Sequence, residues 1–219
     1  MKDLEVEHFF TTPIFKAEIP EWVKQVNDIC EPFVKDAKEK NKEALKNRNK
    51  FFKKNIGDVN YSHHSVSLIN VEELKNLQEY IFNKSHEVLD YMGYNLTNYK
   101  IAFTELWVQE FSKKGGGHHE GHIHYDNHIS GFYFLKCSNK TSNPFFIDPR
   151  IGKLNSQLIE KNINEITSGS SLINMSPQPG TFIMFPSFLE HGFTVDPGIE
   201  PFRLIHFNLQ AIRKMVLNQ

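Results

Sequence analysis

Three side chains set two apart, His122, His124 and Asp126, lie between a glycine run at 115–117 and the β-branched and aromatic run 129–135. Side chains alternate along an extended chain, so either His122-Ile123-His124 or His124-Tyr125-Asp126 can turn two ligands to one side. A third ligand must return from a distant strand. His191 is placed to do so, after the run 181–185 and the turn at Pro186-Ser187. Twelve positions later Arg203 stands among apolar residues. Its planar fork suits a carboxylate, because it donates two parallel hydrogen bonds. The order predicts a metal centre beside an anion clamp. His124 and His191 are ligands in this reading, Asp126 is the third and His122 its rival. Arg203 is the clamp, and Tyr133, on the strand after the metal pair, is a second donor to the same anion.

The rest of the chain frames these two stretches. Residues 9–19 read as a strand bent at Pro13, and from Trp22 apolar residues recur at helical spacing until Pro32, where a kink or a restart is expected. The charged run 35–54 continues as a solvated helix or arm, and its patch of Arg48, Lys50, Lys53 and Lys54 reads as surface. His63 and His64 are adjacent, so on an extended chain they face opposite ways and read as loop residues. Asn70 and Glu73 resemble a capping box for a helix that runs to Gly93. Strands follow at 99–111, 129–136, 144–147, 171–175, 181–185 and 202–212, separated by turn residues. Helices first and many short strands after predict a mainly β chain with flanking helices (α+β). The specific expectation is a jelly roll with N-terminal helices on one face. We expect one domain over 1–219, with 1–95 as a helical support layer bearing an N-terminal strand and 96–219 as the β core that carries the site.

Composition narrows the functional classes. A net charge of -1 and a pI near 6.8 give no electrostatic footprint for nucleic acid. No apolar stretch approaches a membrane span, and the N-terminus lacks signal-peptide order, so a cytoplasmic protein is expected. Cys30 and Cys137 are too few and too far apart for a disulfide framework or a CxxC site, and read as buried apolar residues. His118, His119 and His128 read as loop residues beside the site, His206 as a satisfied histidine, Trp107 and Phe185 as core. Asp148 and Arg150 are expected to pair locally, and Gly115 to Gly117 to form a mobile lip.

Two histidines and a carboxylate on one face of iron leave three positions for cosubstrate and oxygen. From about Leu106 onward the chain resembles the 2-oxoglutarate and iron(II)-dependent oxygenases, in particular a phage and bacterial branch similar to prolyl hydroxylases. The residues that carry the resemblance are HIHYDNHISGFYFL, the IDPR at 147–150, PGTFIMFPSFLEHGF and FRLIHFNL, with the N-terminal FFTTPIF and its helix. It implies a double-stranded β-helix (cupin-like) fold, Fe(II), 2-oxoglutarate and O2, with ascorbate as an optional reductant. It also implies a dioxygenase that hydroxylates a peptidyl, prolyl-like, side chain or a small molecule, in the host cytoplasm if the gene is a phage's, with a homodimer as an admissible assembly. In that branch the H-x-H of His122 and His124 recurs and the place of Asp126 need not be acidic, so the third ligand stays open. Prolyl hydroxylase relatives often place a serine or threonine after the arginine. Here Leu204, Ile205 and His206 follow, a departure at the anion site. The alternatives are a non-catalytic jelly-roll or cupin-like binding module, and a three-histidine metal dioxygenase that uses no 2-oxoglutarate.

Overall fold

A computed structural model describes residues 4–155 and 158–214. The elements in order are β1 (Phe15–Glu18), α1 (Val23–Lys40), α2 (Lys42–Phe51), β2 (Ser62–His64), α3 (Lys75–Tyr91), β3 (Tyr99–Phe111), β4 (His119–His122), β5 (Ile129–Lys136), β6 (Pro144–Ile147), α4 (Ile151–Leu154), β7 (Leu172–Asn174), β8 (Thr181–Pro186), β9 (His191–Phe193) and β10 (Arg203–Arg213). The strands form two antiparallel sheets, a six-stranded one ordered β1-β8-β5-β10-β3-β2 and a four-stranded one ordered β4-β9-β6-β7. This is the jelly roll expected from the strand pattern.

The larger sheet is covered on both faces, which is why β5 and β8 are runs of buried residues rather than alternating ones. Its outer face meets α1 and α3 in an aliphatic core that includes Val26, Cys30, Val34, Leu77, Ile81, Ile205 and Leu209. The inner face meets the smaller sheet through phenylalanines, among them Phe132, Phe134, Phe146, Phe185 and Phe193. Gly131 makes this arrangement possible at the centre of β5, since a Cβ there would lie 2.3 Å from the Phe207 ring and 2.4 Å from the Ile183 carbonyl oxygen.

Several local expectations are revised. The helix does not restart at Pro32: α1 runs through it, with Pro32 on the exposed side, where water can satisfy the carbonyl that the proline leaves without a donor. The capping box at Asn70 does not form. A 3-10 turn at Glu72–Leu74 leads into α3, and Gln78 Nε2 instead donates to the carbonyl oxygens of Leu68 (3.2 Å) and Val71 (3.1 Å). The other end of α3 closes as a Schellman motif on Gly93 (φ 85), with Tyr94 N–H donating to Leu89 O and Gly93 N–H to Asp90 O. Gly115 to Gly117 are tied down rather than loose: Gly115 O accepts from Asn60 N–H, Gly116 N–H donates to Asp196 O, and Gly117 O accepts from Asp196 N–H. His63 and His64 lie on a strand and not in a loop. His63 is buried beside Asn41 and Asp58, while His64 turns to the opposite side and stacks on Trp107.

Candidate metal centre

His122 ends β4 and pairs with His191, which begins β9, so the two strands of the smaller sheet set these side chains next to each other. His124 follows two residues later, its N–H donating to Ser187 O at 3.1 Å. The ring centroids of His122 and His191 are 4.7 Å apart, those of His122 and His124 5.0 Å, and those of His124 and His191 5.1 Å. One ring nitrogen from each lies within 4.8 Å of the others.

The hydrogen bonds of these rings prepare them as ligands. Carbonyl oxygens only accept, so His122 Nδ1–H donates to Glu120 O (2.8 Å) and His191 Nδ1–H donates to Leu189 O (2.8 Å). Each ring is thereby left with a lone pair on Nε2, the tautomer a metal requires. The Nε2 atoms of His124 and His191 are buried and have no hydrogen-bond partner, an arrangement that is costly unless something else meets them. Burial also disfavours the charged rings: it pushes His191 down to about 2, and, with the neighbouring His206 and His122, pushes His124 down to about 4. Neutral imidazoles suit a divalent metal ion, and His122 and His191 already carry the lone pair on Nε2.

The side chain of Asn208 holds His124 from behind, its Nδ2 lying 3.0 Å from His124 Nδ1 and 2.5 Å from Glu105 Oε2. A second group, Glu105, His124 and His206, also brings three donor atoms within 4.8 Å and shares His124 with the first. The wall continues through aromatic contacts. His206 lies 4.9 Å from His124 and 4.4 Å from Trp107, and His64 and His119 stack beyond it. Reading the sequence singled out neither Glu105, Gln109 nor Asn208. The available signal was parity on β3 and β10, where residues two apart share a face with His206.

Asp126 is not part of the gathered set. The strand ends at His122, and Asp126 sits exposed in the turn that follows, with φ 61, so alternation does not carry from His124 to it. Arg203 is also away from the histidines. It pairs with Glu110 across β10 and β3 and turns outward to α1. There its Nε donates to Glu110 Oε2 (2.7 Å) and its Nη1 to Glu31 Oε2 (2.8 Å) and Asn27 Oδ1 (2.9 Å). Its Nη2 also pairs with Glu110, so all three guanidinium nitrogens meet the protein's own groups. Tyr133 shares this outer face, and its hydroxyl donates to Ile19 O at 2.7 Å. The expected clamp of Arg203 and Tyr133 is therefore a structural pair of contacts. The cause is odd spacing: Arg203 and His206 are three apart on one strand, hence on opposite faces.

His118 and His128 are exposed beside the site, whereas His119 is strand-borne and bonded to Gln109. Asp148 and Arg150 pair as expected, at 2.9 and 2.7 Å, and Cys30 and Cys137 are free and buried.

Residues 105–208 match the family described as "Putative 2OG-Fe(II) oxygenase", a span that runs from β3 through β10 and includes all three histidines. The match spans a little less than half of the chain, and over that span the β core is similar to this family. The fold is similar to that of the viral collagen prolyl hydroxylase vCPH from Paramecium Bursaria Chlorella virus-1 (TM-score 0.52, 12% identity, 97% of this chain and 99% of that one). It is similar also to a prolyl-4-hydroxylase from Pseudomonas putida (TM-score 0.53, 10% identity, 94% and 95%). Against a 2OG-Fe(II) oxygenase-family oxidoreductase from Burkholderia pseudomallei the likeness covers 55% of this chain and about half, 51%, of that one (TM-score 0.38, 10% identity). No curated protein matches the sequence. Among the described residues no helix is long and apolar enough to cross a membrane.

Proposed function

We propose that the protein is an Fe(II)- and 2-oxoglutarate-dependent hydroxylase whose iron is held by His122, His124 and His191. The observation that carries this reading is the meeting of three imidazoles, two of them with buried, unpartnered Nε2 atoms, within the span of the family match. Bound there, iron(II) supplies oxidation by O2 of an unactivated C–H bond, coupled to conversion of 2-oxoglutarate to succinate and carbon dioxide.

The chain's own residues provide the setting. Leu189 O and Glu120 O fix two tautomers, and Asn208 orients the third ring. Phe132, Phe146 and Phe185 surround His191 at centroid distances of 4.6–6.3 Å and exclude water from that side. Trp107 and His64 form the opposite, partly open wall. A peptidyl, prolyl-like side chain is the first substrate class to test, by analogy with the two prolyl hydroxylases of similar fold, and a small molecule is the second. A cytoplasmic protein that works alone or as a homodimer agrees with this reading.

Anaerobic titration of the Fe(II)-loaded protein with 2-oxoglutarate tests it. We expect the weak visible charge-transfer band of the chelate, lost in His191→Ala, and succinate release once oxygen and proline-containing peptides are added. Iron binding without the band would favour a three-histidine dioxygenase that takes no oxo acid, the second reading, which the outward position of Arg203 makes concrete.

A further inference from the structure

Lysines along α1 are neutralised by carboxylates one helical turn away: Lys24 pairs with Asp28, Lys35 with Glu31 and Lys40 with Asp36. α2 abandons this pattern. Between Ala44 and Gly57 the chain has five basic residues, Lys46, Arg48, Lys50, Lys53 and Lys54, and no acidic one. The net charge of -1 hides this segregation. Arg48 is spent on the fold, since its Nη1 donates to Val59 O (2.8 Å) and its Nη2 to Gly57 O (2.7 Å). Among the described residues the four lysines are exposed and have no carboxylate partner. α2 buries none of its side chains, so core packing does not account for it. Helix and closing turn line a groove of about 760 Å³, shared with Asp58 and His63, which bond each other at 3.2 Å.

Two further features point to what the groove takes. Between Lys50 and Lys53 stand Phe51 and Phe52, 81% and 57% exposed, with ring centroids 5.3 Å apart. The other feature is Lys53 itself, which holds φ 50 where α2 closes: Lys53 N–H donates to Lys50 O and Lys54 N–H to Asn49 O, both at 3.1 Å. At the same place α3 uses Gly93, which takes a left-handed conformation without a steric penalty. α2 puts an ammonium group there instead. An acidic protein segment would draw on the charge but has no use for the rings, and carboxylates are gripped best by a forked guanidinium, which Arg48 has already committed. A single nucleic-acid strand uses both features, because lysines meet phosphates as point charges and bases stack on aromatic rings.

We infer that α2 and its closing turn form a docking surface for single-stranded nucleic acid, with Lys46, Lys50, Lys53 and Lys54 on phosphates and Phe51 and Phe52 on bases. The surface lies outside the metal centre and does not depend on the hydroxylase reading. The two are neighbours across one strand. β2 is the edge of the larger sheet, His63 lines the groove, and His64, on the opposite side, stacks on Trp107.

The test is fluorescence anisotropy of labelled oligothymidylate and oligouridylate, each of about 12 nucleotides, titrated with the full chain over a series of salt concentrations. Wild type should bind at about 50 mM salt and weaken as salt rises, and the tighter of the two oligomers tells whether DNA or RNA is the strand. Lys50→Glu with Lys53→Glu should weaken binding about tenfold or more and flatten the salt slope by about 1.4, as two lost phosphate contacts require. Phe51→Ala with Phe52→Ala should weaken it about tenfold at an unchanged slope. Lys53→Gly should weaken binding while leaving the urea midpoint at least as high as in wild type. The inference is overturned if neither oligomer binds at about 50 mM salt or if the phenylalanine variant binds like wild type. It is overturned also if oligoglutamate of equal length displaces the strand at equal concentration, which would make this a surface for an acidic segment.

Discussion

The two faces of the larger sheet are built from the same strands and do different work. On the outer face, Arg203, Glu110 and Lys38 form a buried ionic group under α1, with Glu31 at its rim and aliphatic side chains around it. On the inner face, one residue over on each strand, stand His206, Trp107, Gln109 and Asn208, next to the three gathered histidines. A buried charge network is costly to break and a ligand site is costly to leave unfilled, so alternation along β3 and β10 keeps the two kinds of polar burial apart. The strand that anchors the helices is also the strand that lines the chemistry, and a one-residue change of register would exchange the two.

Breaking the outer face should have the largest effect. Arg203→Met leaves Glu110 buried with only Lys38 as partner, and we expect a loss of about 3–5 kcal/mol in urea unfolding, with metal affinity unchanged in the folded protein. Loss of metal binding at unchanged stability would reverse the assignment of the two faces. On the inner face, His191→Ala should weaken Mn(II) binding by about 100-fold or more in calorimetric titration, while the urea midpoint moves much less than in the arginine variant. Between the two lies Gly192→Ala, where a Cβ would fall 2.5 Å from His119 O and from the Phe145 ring. It should cost about 1–3 kcal/mol and lower metal affinity as well, because it pushes β9 away from β4.

Acid should separate the faces further. Burial opposes ionisation of Glu110, but hydrogen bonding from Lys38 and the charge of Arg203 outweigh it and hold the carboxyl below its usual range; hydrogen bonding from Arg203 does the same for Glu31. A carboxylate with a depressed value contributes stability that is complete above the ordinary carboxylate range and is lost as pH falls through the lowered value. Wild type should therefore lose stability below about pH 4, and the slope of that limb in a urea series should be shallower in Arg203→Met. The smallest effect is expected of Asp126→Asn: an exposed turn residue outside the ligand set should leave metal affinity unchanged, and a clear loss would return it to the triad.

Much of the scaffold was legible in the sequence. The strands over 99–111, 129–136 and 144–147 coincide with β3, β5 and β6, since long apolar runs bounded by Gly, Pro and Asn carry their own limits. β4 and β9 had no such signal. They are short, rich in histidine and glycine, and exist because they pair with each other. His122, His124 and His191 were in view, but the choice between His122 and Asp126 depended on where β4 stops. Arg203 was misplaced for a related reason: sequence order brings it after His191, and only the register of β10 against β3 decides which face it takes.

β10 lies between β5 and β3, with β3, β4, β5, β6, β7, β8 and β9 all preceding it along the chain. Until it inserts, the larger sheet exists as two pieces with open inner edges, and neither the ionic group under α1 nor the wall behind His124 can form. Assembly of this protein is thus a closing step over long sequence separations, which makes for slow folding and a period when unpaired edges are open to other chains. During that interval a divalent ion would find only loose histidines, so metal capture should follow insertion of β10 and serve as a clock for it.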